Sequence, residues 1–256
     1  MTNLPGFSLA GRLGAGETIF TGWCGIPSPL VAETLAREGF AAVTIDQQHG
    51  LWDTASTIAA VRQGGAALIV RVPLHSLATV SRVLDFGAEG VIAPMINTEA
   101  EARALVAAAK FPPVGERSWG PSRAMTLAGI SSGSAYLRAA NPQTVTLAMI
   151  ETRVALDNLD AIAATPGIDV LFVGPSDLSI ALSDGATLDP HSPAVEAALD
   201  RIIAAAAKAG KVPGLYCANA ERAVASAARG FRFLAVGSDL AFLRAGIAAQ
   251  IRTLQG

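Results

Sequence analysis

The chain alternates short apolar runs with longer segments of helical period, and this rhythm limits its fold more than any other feature of the sequence. Eight of the runs are almost continuously apolar, which is typical of strands buried on both faces of a parallel sheet. We predict strands at Thr18–Cys24, Ala41–Asp46, Ala67–Val72, Gly90–Ile96, Val145–Ile150, Asp169–Val173, Gly214–Cys217 and Phe231–Val236. Alanine is the strongest helix former, so the Ala-rich segments between them predict helices such as Ser28–Glu38, Ser76–Phe86, Glu99–Lys110 and Pro193–Ala209.

Eight strand–helix units in 256 residues predict a single (β/α)8 TIM barrel domain over residues 1–256, with a short N-terminal helix before it. An open doubly wound sheet is the alternative, but it usually has fewer strands, and no glycine-rich dinucleotide fingerprint follows the first strand. Helix caps are predicted at Ser28, Thr98, Asn219 and Ser238. The one long connection, Phe111–Ser134, is rich in Gly, Pro and Ser, and such loops are usually functional or interface elements.

The composition excludes several classes of function. Apolar residues make up 51% of the chain and charged residues only 16%, yet the longest uncharged stretch, Thr18–Ala32, is shorter than the about 20 residues of a membrane-spanning helix. A net charge of −2 provides no electrostatic surface for nucleic acid. Two cysteines, Cys24 and Cys217, are too few for a disulfide framework and read as packing residues. We therefore expect a cytoplasmic protein that binds neither membrane nor nucleic acid.

The few charged residues concentrate where predicted strands end, which is where barrel enzymes carry their active sites. Glu151 ends the fifth strand and Asp177 follows the sixth, so the two carboxylates should converge. Such a pair repels itself unless a proton or cation intervenes, and Mg²⁺ or Mn²⁺ prefers oxygen ligands of this kind. The alternative for Asp177 is a simple helix cap, which is also how we interpret Asp239.

Two further strand ends carry basic groups. Arg71 ends the third strand and either pairs with a barrel carboxylate or clamps a substrate carboxylate or enolate oxygen. His49 follows the second strand beside Asp46, which would hold the imidazole tautomer for acid–base work; a structural loop histidine is the alternative. None of the three lysines, Lys110, Lys208 and Lys211, is predicted at a carboxyl strand end, which disfavours Schiff-base and pyridoxal phosphate chemistry.

Four stretches carry a resemblance to a known family: TIDQQHG, APMINTEAEARALVAAAKFPPVGERSWGPSRA, MIETRVALDNLDAIAATPGIDVLFVGPSDLS and KVPGLYCAN. Over nearly its whole length the chain resembles the metal-dependent (class II) pyruvate aldolases, which include 4-hydroxy-2-oxoheptane-1,7-dioate aldolase and 2-dehydro-3-deoxyglucarate aldolase. The resemblance implies reversible aldol cleavage of 4-hydroxy-2-oxo acids to an aldehyde and pyruvate or a close 2-oxo acid such as hydroxypyruvate, through an enolate stabilised by a divalent metal.

The resemblance also implies residue roles. Glu151 and Asp177 match metal ligands for Mg²⁺ or Mn²⁺, with Co²⁺ a further option, and Asp177 also adjoins the substrate. His49 matches the acid–base histidine and Arg71 the residue that steadies the enolate oxygen. The remaining matches are Asp85, which supports the basicity of the histidine, and Gly174 and Ser176, which bind the substrate, with the backbone N–H groups at Ser176 holding its carboxylate. Family members often form a hexamer, a trimer of dimers with exchanged C-terminal helices.

Two positions depart from the family pattern. Gln48 stands where the D-x-E-H motif has Glu, and Met149 stands where Q-I-E-T has Gln, so polar contacts to substrate or water are altered. Trp23 is a candidate wall residue of the site. Two alternatives stay open: a citryl- or malyl-coenzyme A lyase, although no basic cluster for a nucleotide is visible, and an inactive barrel used for binding or assembly.

Overall fold

A computed structural model describes residues 6–60 and 65–255. Eight parallel strands form one closed barrel in chain order, with Ile19 of the first strand beside Phe233 of the last. The strands, β1 to β8, are Ile19–Cys24, Ala42–Asp46, Ala67–Arg71, Gly90–Ala93, Val145–Ile150, Val170–Val173, Val212–Cys217 and Phe233–Val236. The predicted (β/α)8 barrel is confirmed, and the doubly wound alternative is wrong.

Three strand boundaries differ from the prediction by two or more residues, and one of them is the start of β8, which is Phe233 rather than Phe231. β4 ends at Ala93 rather than Ile96 because Pro94 has no N–H to donate and Met95 takes a positive φ of 55°. β7 begins at Val212, two positions before the predicted start at Gly214. The early end of β4 matters because the backbone that leaves it lies beside a predicted metal ligand.

Thirteen helices lie within the described residues. They are, from α1 to α13, Leu9–Gly14, Pro29–Arg37, Thr54–Ala60, Leu77–Asp85, Glu99–Ala109, Ser122–Leu127, Gly133–Gln143, Arg153–Asp157, Leu159–Ala164, Pro175–Leu182, Pro193–Ala209, Ala220–Arg229 and Asp239–Gln255. Thr98 forms a capping box with Glu101, and Asn219 caps α12. The hydroxyl of Ser238 accepts from Ala241 N–H at 3.2 Å. The predicted side-chain cap at Ser28 is wrong, because the N–H of Val31 bonds to the Ser28 carbonyl instead.

The long connection Phe111–Ser134 is more ordered than its composition indicates. It contains α6 and the first two residues of α7, and the hydroxyl of Ser132 caps α7 by accepting from the N–H of Ala135. Ala124 and Ala128 pack with Phe111 and Tyr136 in a small core of their own. Local burial of alanine therefore supports helix here despite the flanking Gly and Pro.

The barrel buries two layers of apolar side chains, one inside the strands and one between the strands and the helices. Phe172 and Phe233 are among the side chains that fill the interior, and Leu105 and Ile202 are among those packed outside. The predicted N-terminal helix is present as α1, which adds Leu9 to the interior layer. Glu89 Oε2 accepts from the backbone N–H groups of Ser8 and Leu9, so α1 closes the amino end of the barrel.

The last helix stands apart from this core. Asp239 is the only buried residue of α13, whereas Leu243, Ile247 and Leu254 are exposed. No helix in the described ranges is long and apolar enough to cross a membrane. Because α1 closes the amino end of the barrel, the open end is the carboxyl end. There the strands lead into the loops that carry the charged residues.

Candidate active site

A cavity of about 440 Å³ lies at the carboxyl end of the barrel, and we call it the mouth. Four charged residues predicted from the sequence line it: Asp46, His49, Arg71 and Asp177. The wall also includes the predicted Trp23, Met149, Gly174 and Ser176. Side chains alternate along a strand, so the last inward-facing positions of β1, β2, β3 and β5 converge here.

Arg71 and Asp46 are neighbours in the register of β2 and β3 and form a buried two-pronged ion pair. Arg71 Nε donates to Asp46 Oδ1 at 2.9 Å and Nη2 to Oδ2 at 2.6 Å, with only 10% and 6% of the two side chains exposed. Burial acts to raise the pKa of Asp46, but the hydrogen bonds and charge of Arg71 outweigh it, and the pKa is lowered. Nη1 of Arg71 makes no hydrogen bond within the described part of the chain, so it can still meet a substrate anion.

Trp23 contacts both members of this ion pair. Its indole N–H donates to Asp46 Oδ2 at 3.2 Å, and its ring lies under the guanidinium, with 4.8 Å from Arg71 Cζ to the ring centroid. A cation over an indole face is electrostatically attracted to it. The first alternative for Arg71, a pair with a barrel carboxylate, is therefore confirmed. Arg71 also lines the mouth, and its role as a clamp for a substrate anion stays a prediction.

His49 reaches the mouth from the loop after β2, and its side chain is exposed. Asp46 Oδ1 accepts from the backbone N–H groups of Gln48 at 3.0 Å and His49 at 3.2 Å. The expectation that Asp46 holds the imidazole tautomer is therefore wrong, because its oxygens bind this backbone, Trp23 and Arg71. Asp46 shapes the loop that presents His49. Gln48 is not among the residues of the wall, and its buried Oε1 has no partner within the described residues.

Glu151 lies at the end of β5, and 2% of its surface is exposed. Its Oε1 accepts from the N–H of Met95 at 2.7 Å, and its Oε2 lies against Gly174, which leaves no room for a Cβ there. The pKa of Glu151 is raised to about 7, chiefly by burial; the charge of Asp177 contributes to this rise, whereas the Met95 N–H and the charge of Arg71 oppose it. Glu151 Oε2 thus lies against the residue three positions before Asp177, and both Gly174 and Asp177 line the mouth.

Asp177 occupies the first turn of α10, exposed at the mouth, and makes no hydrogen bond among the described residues. It therefore does not act as a side-chain cap. In the described ranges, no group of three or more His, Cys, Asp and Glu side chains forms a metal site. A cation between Glu151 and Asp177 would draw its other ligands from water or substrate, and two coupled oxygen donors, one of them buried, suit a hard divalent ion.

Aromatic and acidic residues that sequence reasoning did not select complete the wall. Tyr216 lies edge-on to Trp23 at 5.3 Å between ring centroids, and its hydroxyl donates to the Gly237 carbonyl at 3.2 Å. Burial raises the pKa of Tyr216. The alternation along β7 could have revealed it, because the side chain two residues after Gly214 faces the same way. Asp239 does more than cap α13, since its Oδ2 also accepts from Ile26 N–H at 2.7 Å.

Asp85 does not lie at the mouth of its own chain. It is the last residue of α4, and helices run opposite to the strands, so this end lies beside the amino end of the barrel. There the guanidinium of Arg117 donates to its carboxylate at 2.5 Å. Asp85 thus lies at the end of the helix predicted at Ser76–Phe86, and the supporting role that the family resemblance implies stays a prediction. Lys110 also lies away from the mouth, buried against Asp169 and two backbone carbonyls.

Comparisons with known proteins agree with this architecture. The family model described as HpcH/HpaI aldolase/citrate lyase matches residues 21–245. A hydroxypyruvate/pyruvate aldolase of Rhizorhabdus wittichii is 40% identical over 90% of this chain and 91% of its own length. A 4-hydroxy-2-oxovalerate aldolase of Novosphingobium aromaticivorans is 37% identical over 85% and 82%. A crystal structure of a HpcH/HpaI aldolase/citrate lyase family protein from Burkholderia cenocepacia superimposes with a TM-score of 0.88 at 29% identity, covering 98% of this chain and 100% of that one.

Proposed function

The chain belongs to the HpcH/HpaI aldolase/citrate lyase family, and we propose that its mouth catalyses reversible aldol cleavage of 4-hydroxy-2-oxo acids. The products are an aldehyde and pyruvate or a close 2-oxo acid such as hydroxypyruvate. The enzyme is a carbon–carbon lyase of the aldolase type. One observation carries the proposal: the buried Glu151 carboxylate lies against Gly174, which lines the same cavity as Asp177, Arg71 and His49.

The residues at and beside the mouth have three roles: they bind a cation, bind the substrate and transfer a proton. Glu151 and Asp177 would hold a divalent cation, Mg²⁺, Mn²⁺ or Co²⁺. When bound, such an ion supplies Lewis-acid stabilisation of the negative charge that develops on the 2-oxo oxygen. Arg71 adds a fixed positive charge for the same oxygen, an effect of about 3–4 kcal/mol in comparable oxyanion sites. No lysine lines the wall within the described residues, which agrees with a mechanism without a Schiff base.

Two further groups orient the substrate and move its proton. Ser176 lies in the first turn of α10 and lines the mouth beside Gly174, so backbone N–H groups at this helix start would suit the substrate carboxylate. His49 is the one histidine among the described residues of the wall, and it takes the proton from the 4-hydroxyl during cleavage. The exposed position of His49 lets the proton leave to solvent.

A pyruvate-release assay tests the proposal. Chelated protein should lose cleavage of 4-hydroxy-2-oxo acids and regain it with Mn²⁺, and Glu151→Gln should abolish the recovery. Asp160→Asn, a carboxylate change on the exposed outer face of α9, serves as the matched control and should keep full activity. Undiminished cleavage after thorough chelation contradicts the metal role. Failure to release pyruvate or hydroxypyruvate from a panel of such acids contradicts the substrate class.

A citryl- or malyl-coenzyme A lyase is the alternative within the same family. Against it, Arg71 is the only lysine or arginine among the described residues of the mouth, and it is already paired with Asp46. A nucleotide diphosphate needs basic partners that this wall does not offer. Adding both thioesters to the substrate panel separates the two readings.

We also propose that residues 1–256 form one cytoplasmic domain that assembles as a hexamer, a trimer of dimers with exchanged C-terminal helices. The exposed apolar side chains of α13 support an interface there, because Leu243, Ile247 and Leu254 have little cover in the single chain. Light scattering after size-exclusion chromatography should give a mass six times that of the chain, and a monomer would contradict the assembly.

A further inference from the structure

Met95 has a backbone conformation that bears directly on Glu151. Its φ of 55° lies in the left-handed region, which residues that carry a side chain disfavour. In this conformation its N–H donates to Glu151 Oε1 at 2.7 Å. A disfavoured conformation at a functional carboxylate persists only where surrounding contacts enforce it.

Asn97 supplies those contacts. Its Nδ2 donates to the carbonyl of Met95 at 3.0 Å, and its Oδ1 accepts a hydrogen bond from the hydroxyl of Thr152. Thr152 is the residue that follows Glu151 in the chain. The four residues therefore close a ring of hydrogen bonds and one peptide link, which we call the Asn97 ring: Glu151, Met95, Asn97 and Thr152.

The Asn97 ring is fixed to two helix starts. Asn97 N–H donates to Glu101 Oε2 at 2.7 Å, within the capping box of α5. Thr152 Oγ1 accepts from Ala155 N–H at 3.0 Å and so caps α8. Because the ring is attached to both helix starts, it cannot shift without disturbing a helix cap. Support from rigid elements of this kind keeps a metal-ligating side chain in one geometry.

We propose that Asn97 is a positioning residue that holds Met95 in its left-handed conformation and thereby orients Glu151 towards Asp177 to bind a divalent cation. Oε1 of Glu151 is committed to the Met95 N–H, and Oε2 lies on the side of Gly174, where the chain leads into the turn that carries Asp177. Without the Asn97 amide, Met95 relaxes and the carboxylate loses its fixed donor. This inference rests on the proposed function, because it concerns the same pair of ligands.

Calorimetric titration of the full chain with Mn²⁺ alone, without substrate, tests this role. Asn97→Ala should weaken Mn²⁺ binding about 10- to 100-fold, which is typical when a group that supports a metal ligand is removed. Adding Met95→Gly to Asn97→Ala should recover much of the affinity, because glycine adopts positive φ without steric cost. Asn158→Ala is the matched control: its amide joins the same loops through the backbone carbonyl of Asn97, outside the ring, and Mn²⁺ affinity should stay unchanged.

The outcomes separate positioning from a general structural role. A folded Asn97→Ala with wild-type affinity overturns the inference, and so does an equal loss in Asn158→Ala or the absence of recovery with Met95→Gly. If Asn97→Ala does not fold, Thr152→Val and Thr152→Ser replace it, and only the variant without a hydroxyl should lose affinity. Wild-type protein that binds Mn²⁺ no better than Glu151→Gln overturns the proposed function itself, together with this inference.

Discussion

Gly174 has no space for a side chain, so Gly174→Ala tests the geometry of the two carboxylates directly. A Cβ at this position would lie 2.3 Å from Glu151 Oε2 and 3.0 Å from Met149 Cε. A carbon–oxygen contact needs about 3.3 Å, so the carboxylate must move by about 1 Å. The φ of −94° and ψ of 91° are accessible to alanine, and the collision alone is therefore responsible for the effect.

A displacement of about 1 Å in a catalytic group costs about 10²-fold in rate, and overpacking a filled site costs about 1–3 kcal/mol in stability. We expect Gly174→Ala to lose about 10²-fold in kcat/KM for pyruvate release at saturating Mn²⁺ while its urea midpoint falls only modestly. Gly14→Ala is the control, since a Cβ there meets no atom within 4 Å. A Gly174→Ala enzyme within twofold of the wild-type rate would refute the close contact between Gly174 and Glu151.

Three further predictions concern the buried charges and thiols. Asp46→Asn leaves the Arg71 guanidinium buried without its carboxylate. A denaturant titration should therefore show a free energy of unfolding about 3–5 kcal/mol lower than that of the wild type. An unchanged free energy of unfolding would contradict a contribution of this ion pair to stability. The folded state keeps the proton of Glu151 up to about pH 7, whereas the unfolded chain loses it near the ordinary glutamate pKa of 4.5. Between pH 4.5 and about pH 7, the free energy of unfolding of the metal-free protein should therefore fall by up to about 3 kcal/mol relative to that of Glu151→Gln. Parallel plots of unfolding free energy against pH for the two proteins would contradict this. Cys24 and Cys217 are fully buried, and burial raises both pKa values, that of Cys217 to about 11, so an aromatic disulfide should label neither thiol until the chain unfolds.

The fold was predictable because parallel strands buried on both faces leave a strong apolar signal, and the helix at Pro193–Ala209 carries its own cap and terminal glycine. The charged residues at strand ends were predictable for the same topological reason. Their pairing was not, because the neighbouring positions of Asp46 and Arg71 depend on strand register, which the sequence does not specify. The position of Asp85 at the end of α4 agrees with the helix predicted at Ser76–Phe86, whereas its role comes from the family resemblance alone.

Met149, which stands where the family pattern has Gln, affects how Glu151 is held. A thioether at that inward position gives Glu151 no polar partner, and Arg71 already donates two nitrogens to Asp46. The hydrogen bond that orients Glu151 therefore comes from the backbone of Met95. A backbone donor does not titrate, and it survives most substitutions of its own side chain as long as φ stays positive. The ligand geometry consequently depends on residues that hold that backbone rather than on the side chains of the wall, which leaves the wall free to vary with the substrate.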